Sequence, residues 1–281
     1  MSTSETFNLN ESSTNPVPVT LVEGLSEAQL RGFPAFQDWY KTLQASLKNQ
    51  ENKKHAFHDK PYSLRSIRIK SVSFFREQRI GFLKFEAEIT NAWGDKLPGV
   101  VLLRGPSVAM LMILRPHDNK SERFVIMTEQ PRVPAGSLAF LEIPAGMMDD
   151  DKANFGGTAA KEIEEETGLI VPRDELKDLT ALALSKVENP TGEELANAMY
   201  PSPGGCDEYI ALFLWEKVLD RQLMEQIKGR LSGLRSQGEM VRITLIPYEE
   251  LWSHGARDAK TLAAWALYES LKRSELLTDV R

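Results

Sequence analysis

Between residues 26 and 50 apolar side chains recur at three- and four-residue steps. Leu30, Phe33, Phe36, Trp39, Leu43 and Leu47 line one face of a helix of about 3.6 residues per turn. Ser26 can cap its start, and Pro34 predicts a late start or a break into two shorter helices. A polar stretch, 51–60, reads as loop. The period then changes. Residues 64–75, 79–89 and 97–103 are rich in β-prone bulk, with Ile67, Ile69, Phe82 and Phe85 among them, and predict strands. Residues 91–95, with Gly94, supply a hairpin turn. This part reads as a small antiparallel domain ending near Gly105-Pro106.

Residues 108–114 form an uninterrupted apolar run, the pattern of a strand covered on both faces. A turn at 117–121 leads to strands over 123–128 and 138–143, a helix over 154–167, and strand candidates at 181–184 and 209–215. A helix over 219–231, a strand over 241–246 and a closing helix over 258–276 follow. Strands mixed with helices predict an α/β layered domain. The expected organisation is a disordered tail over 1–17, a β-rich domain with an amino-terminal helix over 18–105, and the α/β domain over 106–281.

Composition narrows the function classes. Hydrophobic residues make up 42% and charged residues 26% of the chain, as in a globular protein with a sizeable core. The longest apolar run is too short to span a bilayer, so no membrane partner is expected. A net charge of −6 disfavours nucleic acid. It also requires local cations, a metal or placed Arg and Lys, wherever an anionic substrate binds. The single cysteine, Cys206, excludes an internal disulfide, and with four scattered histidines a zinc site is not expected. The Ser-, Thr-, Asn- and Pro-rich start lacks the features of a secretory or transit segment, which predicts a cytoplasmic protein.

The stretch that carries chemistry is Lys161-Glu162-Ile163-Glu164-Glu165-Glu166-Thr167-Gly168-Leu169. On a helix each residue advances about 100°, so positions 162, 165 and 166 fall within roughly a third of the circumference. Position 164 points elsewhere, while Ala159 and Ile163 give the helix an apolar line to bury. Gly168 ends it. Carboxylates gathered in this way repel unless a cation joins them, and hard divalent ions such as Mg²⁺ prefer oxygen donors. Taken alone, the pattern fits a solvated acidic face better, since runs of Glu on exposed helices are common.

Its context resolves that choice. Upstream lie Leu141-Glu142-Ile143-Pro144-Ala145-Gly146 and the acidic turn Asp149-Asp150-Asp151. Together these residues resemble the Nudix box, in which a glycine leads through a loop to a helix with an Arg-Glu-apolar-x-Glu-Glu-x-Gly-apolar core. Here Lys161 replaces the arginine. The interval from Gly146 to Lys161 is one residue longer than usual, and no glutamate occupies the early loop position. The stretch 129–136, containing Arg132, and the stretch 203–208, ending in Glu208, look like those of the ADP-ribose and ADP-sugar pyrophosphatase branch. From about residue 18 to 276 the chain is similar to plant-type ADP-sugar diphosphatases.

The resemblance implies a Nudix α/β/α sandwich with a mixed sheet, preceded by the smaller β-rich domain, and a homodimer. It implies Mg²⁺, or Mn²⁺, held mainly by Glu162 and Glu166. Glu165 is then a further ligand or an orienter of metal-bound water, and the Ala145 carbonyl completes the set. It implies that Arg132 grips the pyrophosphate, that Glu208 is a general base or positions the attacking water, and that Lys161 stands behind the carboxylates. The expected reaction splits a nucleotide sugar of ADP type into AMP and a sugar phosphate. Two alternatives stay open: a Nudix enzyme for another nucleoside diphosphate derivative, and a catalytically weak nucleotide sensor.

Overall fold

The computed structural model describes residues 5–10, 16–75, 78–148, 155–189, 192–232 and 241–277; the side chains of Phe155, Glu162, Glu166, Thr167 and Ser232 also lie outside the description. The chain divides into two compact units. The first comprises Met1–Pro106 with Glu188–Ala196 and Ser202–Glu208, and the second comprises the remaining segments.

In the first unit, β1 (Thr6–Leu9), β2 (Val17–Thr20), β3 (Tyr62–Phe74), β4 (Ile80–Asn91) and β5 (Val100–Leu103) form a sheet in that order. Two helices, α1 (Glu27–Gly32) and α2 (Pro34–Asn49), lie between β2 and β3 in the chain. Pro34 opens α2, where its missing N–H costs nothing, so the break predicted there divides the region into two helices. Ser26 caps α1 through a reciprocal bond pattern with Gln29. The core is apolar and aromatic: Leu30, Phe36, Ile67, Leu83, Phe85 and Leu103 are buried, with Trp39 edge-on to Phe85.

Two expectations are corrected in this unit. Residues 6–9 belong to β1 and are not disordered, because alternation sends Phe7 and Leu9 into the core while β2 supplies their backbone partners. Residues 1–4 and 11–15 of the expected tail lie outside the described residues. The sheet is also not wholly antiparallel. β2 and β3 run parallel, with Val19 opposite Ile67, since the helical pair serves as the crossover that a parallel pair requires.

The second unit is built on a mixed sheet. Its strands are β6 (Ser107–Pro116), β7 (Phe124–Arg132), β8 (Ser137–Glu142), β9 (Ala145–Met147), β10 (Lys177–Asp178), β11 (Ile210–Leu219), β12 (Leu231–Ser232) and β13 (Val241–Pro247). The order is β10-β11-β6-β7-β13-β12, with β8 paired to β7 and β9 to β6. The β11–β6 pair is parallel and the other pairs are antiparallel. All of β6 except Arg115 is buried, as its apolar run predicted.

Helices α3 (Phe155–Thr167), α4 (Leu179–Leu184), α5 (Arg221–Ile227), α6 (Leu251–His254) and α7 (Ala259–Arg273) complete the unit. Ala109, Leu111 and Ile113 cluster with Leu179 of α4 and with Ala264, Tyr268 and Leu271 of α7. The alternate residues of β6 face the opposite side, and α3 and α5 also pack on this strand. Helices therefore cover both faces, and the fold is an α/β sandwich with a mixed sheet.

Residues 181–184, expected as a strand, belong to α4. The side chain of Asp178 caps this helix at Ala181 N, and the apolar run Leu-Thr-Ala-Leu-Ala-Leu suits a buried helix as well as a strand. The helix expected over 219–231 shortens to α5, because β11 continues through Leu219 and Asp220 then caps. Among the described residues no helix is long and apolar enough to cross a membrane.

Candidate active site

The carboxylate-bearing segment is helical over Phe155–Thr167, and it buries Ala159 and Ile163 completely. α3 packs on β6, β9 and β11. Positions 162, 165 and 166 share one side of the helix, away from the exposed Glu164. The side chains of Glu162 and Glu166, and residues 149–151, lie outside the described residues. Glu165 is half-buried and pairs with Lys161 at 3.8 Å. Lys161 is 57% exposed, and an ion pair this long and this wet is worth less than about 1 kcal/mol.

Gly168 follows with φ of +72° and donates its N–H to Glu164 O at 2.8 Å. A side chain there would need a left-handed backbone and would press on the Arg230 guanidinium, 2.9 Å from an ideal Cβ. The glycine therefore fixes where the carboxylate turn ends.

Ala145 opens β9, opposite Ala109 of β6. The preceding carbonyl, that of Pro144, accepts from Met110 N at 2.9 Å, so β6 fixes the bend between β8 and β9 from its central strand. α3 packs beside β9, which brings the helix and the Ala145 backbone together in one unit.

Arg132 ends β7, just before a tight turn (Val133–Ala135) closed by Gly136 at φ of +69°. Its Nε donates to Glu142 Oε1 at 2.6 Å, while the side chain stays 40% exposed. Among the described residues its two terminal nitrogens have no partner. Glu142, at the end of β8, is buried, and its other oxygen accepts from Lys260 Nζ. Lys260, on the first turn of α7, also bonds Asp258 Oδ1 at 2.9 Å. Sequence reasoning gave Glu142 no role beyond its motif and did not notice Lys260, which is 118 residues away. No local pattern links them, although Asp258 followed by Thr261 carries the signature of a helix cap.

Glu208 belongs to the first unit, within the segment Ser202–Glu208. Arg104 Nη1 stands 3.4 Å from its Oε1, and Arg104 Nε, buried, has no hydrogen-bond partner among the described residues. Asp207 anchors this segment by accepting from the backbone N–H groups of Arg104 and Gly105, at 2.8 and 3.1 Å. Burial nevertheless pushes the Asp207 carboxyl above its usual range. Burial likewise raises the Cys206 thiol, which fits a packing residue and not a nucleophile.

The arrangement suits hard cations and anionic oxygens. Three carboxylate positions within one turn of helix offer the donor chemistry of Mg²⁺ or Mn²⁺, and an arginine fork matches phosphate. No three His, Cys, Asp or Glu side chains converge among the described residues, a set that omits those of Glu162 and Glu166. Such a site defines a class, the metal-assisted hydrolases of phosphoanhydrides.

Comparison with known proteins supplies the family. Residues 103–265 match the model of the NUDIX domain. The chain is 38% identical over 284 residues to Nudix hydrolase 14, chloroplastic, of Arabidopsis thaliana, an alignment covering 100% of this chain and 85% of that protein. The protein belongs to the Nudix hydrolase family and is an enzyme acting on small molecules. Members of this family generally work with a divalent metal ion.

Proposed function

We propose that the enzyme hydrolyses the pyrophosphate bond of ADP-sugars, of ADP-glucose or ADP-ribose type, to AMP and a sugar phosphate, with Mg²⁺ or Mn²⁺ required. What carries the reading is one unit in which the acidic turn of α3 accompanies an arginine whose outer edge has no partner among the described residues. Glu162, Glu166, Glu165 and the Ala145 carbonyl are the proposed metal ligands. Bound there, the metal offsets phosphate charge and lowers the pKa of water. Arg132 holds the diphosphate oxygens, and Glu208 positions or deprotonates the attacking water. Arg104, 3.4 Å away, aims that carboxylate. The test is phosphate release, coupled to a phosphatase, across a panel of nucleotide sugars with and without Mg²⁺. Hydrolysis only of non-adenine substrates, or hydrolysis indifferent to metal, would refute the substrate assignment or the cofactor assignment respectively.

Arg132→Ala should raise KM about tenfold or more, since a charge-assisted hydrogen bond contributes about 1.5–3 kcal/mol. An unchanged KM removes Arg132 from the substrate site.

One observation favours the catalytically weak sensor. Lys161 stands where the family's motif has arginine, is mostly exposed, and meets Glu165 only at 3.8 Å. A lysine lacks the planar grip of a guanidinium. Lys161→Arg is therefore expected to tighten Mg²⁺ binding and raise turnover several-fold; no change in either shows that residue 161 does not steer the carboxylates. Tight nucleotide-sugar binding without turnover across the panel supports the sensor.

The proposal extends to assembly and location. Residues 106–281 form the catalytic domain, and residues 18–105 serve dimerisation and help form the substrate site, in a homodimer that sedimentation would reveal as twice the 31.6 kDa chain. The proposed location is cytoplasmic, whereas the Arabidopsis relative is named chloroplastic. A fluorescent fusion of the full chain found in plastids would correct that inference.

A further inference from the structure

Glu142 is 2% exposed, yet it lies between two cations. Oε1 accepts from Arg132 Nε, and Oε2 accepts from Lys260 Nζ. Lys260 is itself tied to Asp258, and Asp258 Oδ2 accepts from both Thr261 N and Thr261 Oγ1, the latter at 2.6 Å. The same Thr261 hydroxyl accepts from Ile143 N at 3.2 Å. The start of α7 thus grips two consecutive residues, Glu142 and Ile143, just before the Pro144-Ala145 bend. Lys260 keeps only 12% of its side chain exposed and is paired with both Glu142 and Asp258.

The chemistry of this chain of contacts turns on how an arginine meets a carboxylate. Left alone, the two tend to form a side-on pair in which both oxygens are matched by Nε and one terminal nitrogen. Here one oxygen is already taken by an ammonium. Arg132 is left with its contact through Nε, and among the described residues its two terminal nitrogens have no partner on a side chain that stays 40% exposed. We propose that Lys260 is a positioning residue for anion binding: by occupying Glu142 Oε2 it restricts Arg132 to its Nε contact and reserves the outer guanidinium edge for a pair of diphosphate oxygens. The inference rests on the reading of Arg132 as the phosphate-binding group, and it adds a residue that does not itself touch substrate.

The test compares the full-length parent with Lys260→Met, Lys260→Arg, Arg132→Ala and the Arg132→Ala/Lys260→Met double variant. Affinity for inorganic pyrophosphate is read by calorimetry in Mg²⁺, so the result does not depend on turnover, and KM and kcat are measured on ADP-glucose. Lys260→Met should weaken pyrophosphate binding about tenfold and raise KM similarly, with kcat moving less than about threefold, the loss expected for one charge-assisted contact. Lys260→Arg should restore most of the affinity. In the Arg132→Ala background Lys260→Met should add less than about twofold, since the two residues then no longer share an effect. Equal losses in both backgrounds, or unchanged affinity in Lys260→Met, overturn the inference. Should Lys260→Met not fold, Lys260→Ala likewise leaves Glu142 Oε2 without its donor, and unchanged affinity there overturns the inference equally. Absence of hydrolysis by the parent would defeat the proposed activity alone, because the binding comparison stands without it.

Discussion

Glu166→Gln is expected to abolish nearly all metal-dependent hydrolysis while leaving the fold intact. The change removes one charge and one oxygen donor from the acidic turn of α3 without altering side-chain volume. Loss of residues that merely orient a metal's ligands costs about 10–100-fold in activity or metal affinity, so loss of a ligand should exceed about a hundredfold. A second readout is independent of turnover. A ligand that binds only the folded chain stabilises it by about 2.7 kcal/mol at a hundredfold excess over its Kd. The melting temperature of the parent should therefore rise by several degrees in saturating Mg²⁺, and that of Glu166→Gln should rise much less. A variant that hydrolyses as fast as the parent, with the same Mg²⁺-induced rise, would show that the α3 carboxylates hold no catalytic metal.

The second large effect is on stability. Ile163→Ala should destabilise the second unit by about 2–5 kcal/mol, the range for emptying a fully buried aliphatic site. Ile163 is completely covered and, with Ala159, forms the line by which α3 grips the sheet. Positions 162, 165 and 166 adjoin this line around the same helix, so the side chain that anchors α3 also sets where the acidic turn sits. Denaturant unfolding should report the loss, and KM for Mg²⁺ should rise with it. A stability within about 0.5 kcal/mol of the parent would mean that the helix is held by other contacts.

The two effects bear on a general conflict within α3. Carboxylates placed one helical turn apart repel when no cation joins them, by about 0.2–0.5 kcal/mol per exposed pair. Burial of Ile163 and Ala159 offsets the cost in the absence of metal, and the left-handed stop at Gly168 keeps the turn from sliding onward. The anchoring line and the acidic turn adjoin around the helix, residue 159 lying about 20° from position 166 at about 100° per residue, so the contacts that hold α3 also place the acidic turn.

Elements set by local period were legible from the residues. Apolar spacing marked α2 and Pro34 marked its start; the unbroken run over 108–114 marked the buried β6; the box residues marked α3 and its glycine stop. Short segments were not. Thr6–Leu9 offers only Phe7 and Leu9 as apolar residues, too few to outweigh a polar neighbourhood until β2 pairs with it. Leu179–Leu184 is an apolar run without a distinguishing period, and the cap at Asp178 decided for helix.

By itself, then, the sequence determined the family, the acidic turn and its glycine stop, because these are written in consecutive residues whose helical geometry is fixed by backbone sterics. Only the tertiary structure decided that β2 and β3 run parallel, that segments 188–196 and 202–208 group with the first unit, and that Glu142 is shared between Arg132 and Lys260. Those features depend on which distant residues meet. Such meetings are set by the burial of whole faces and by the pairing demands of buried charge, and neither leaves a periodic trace along the chain.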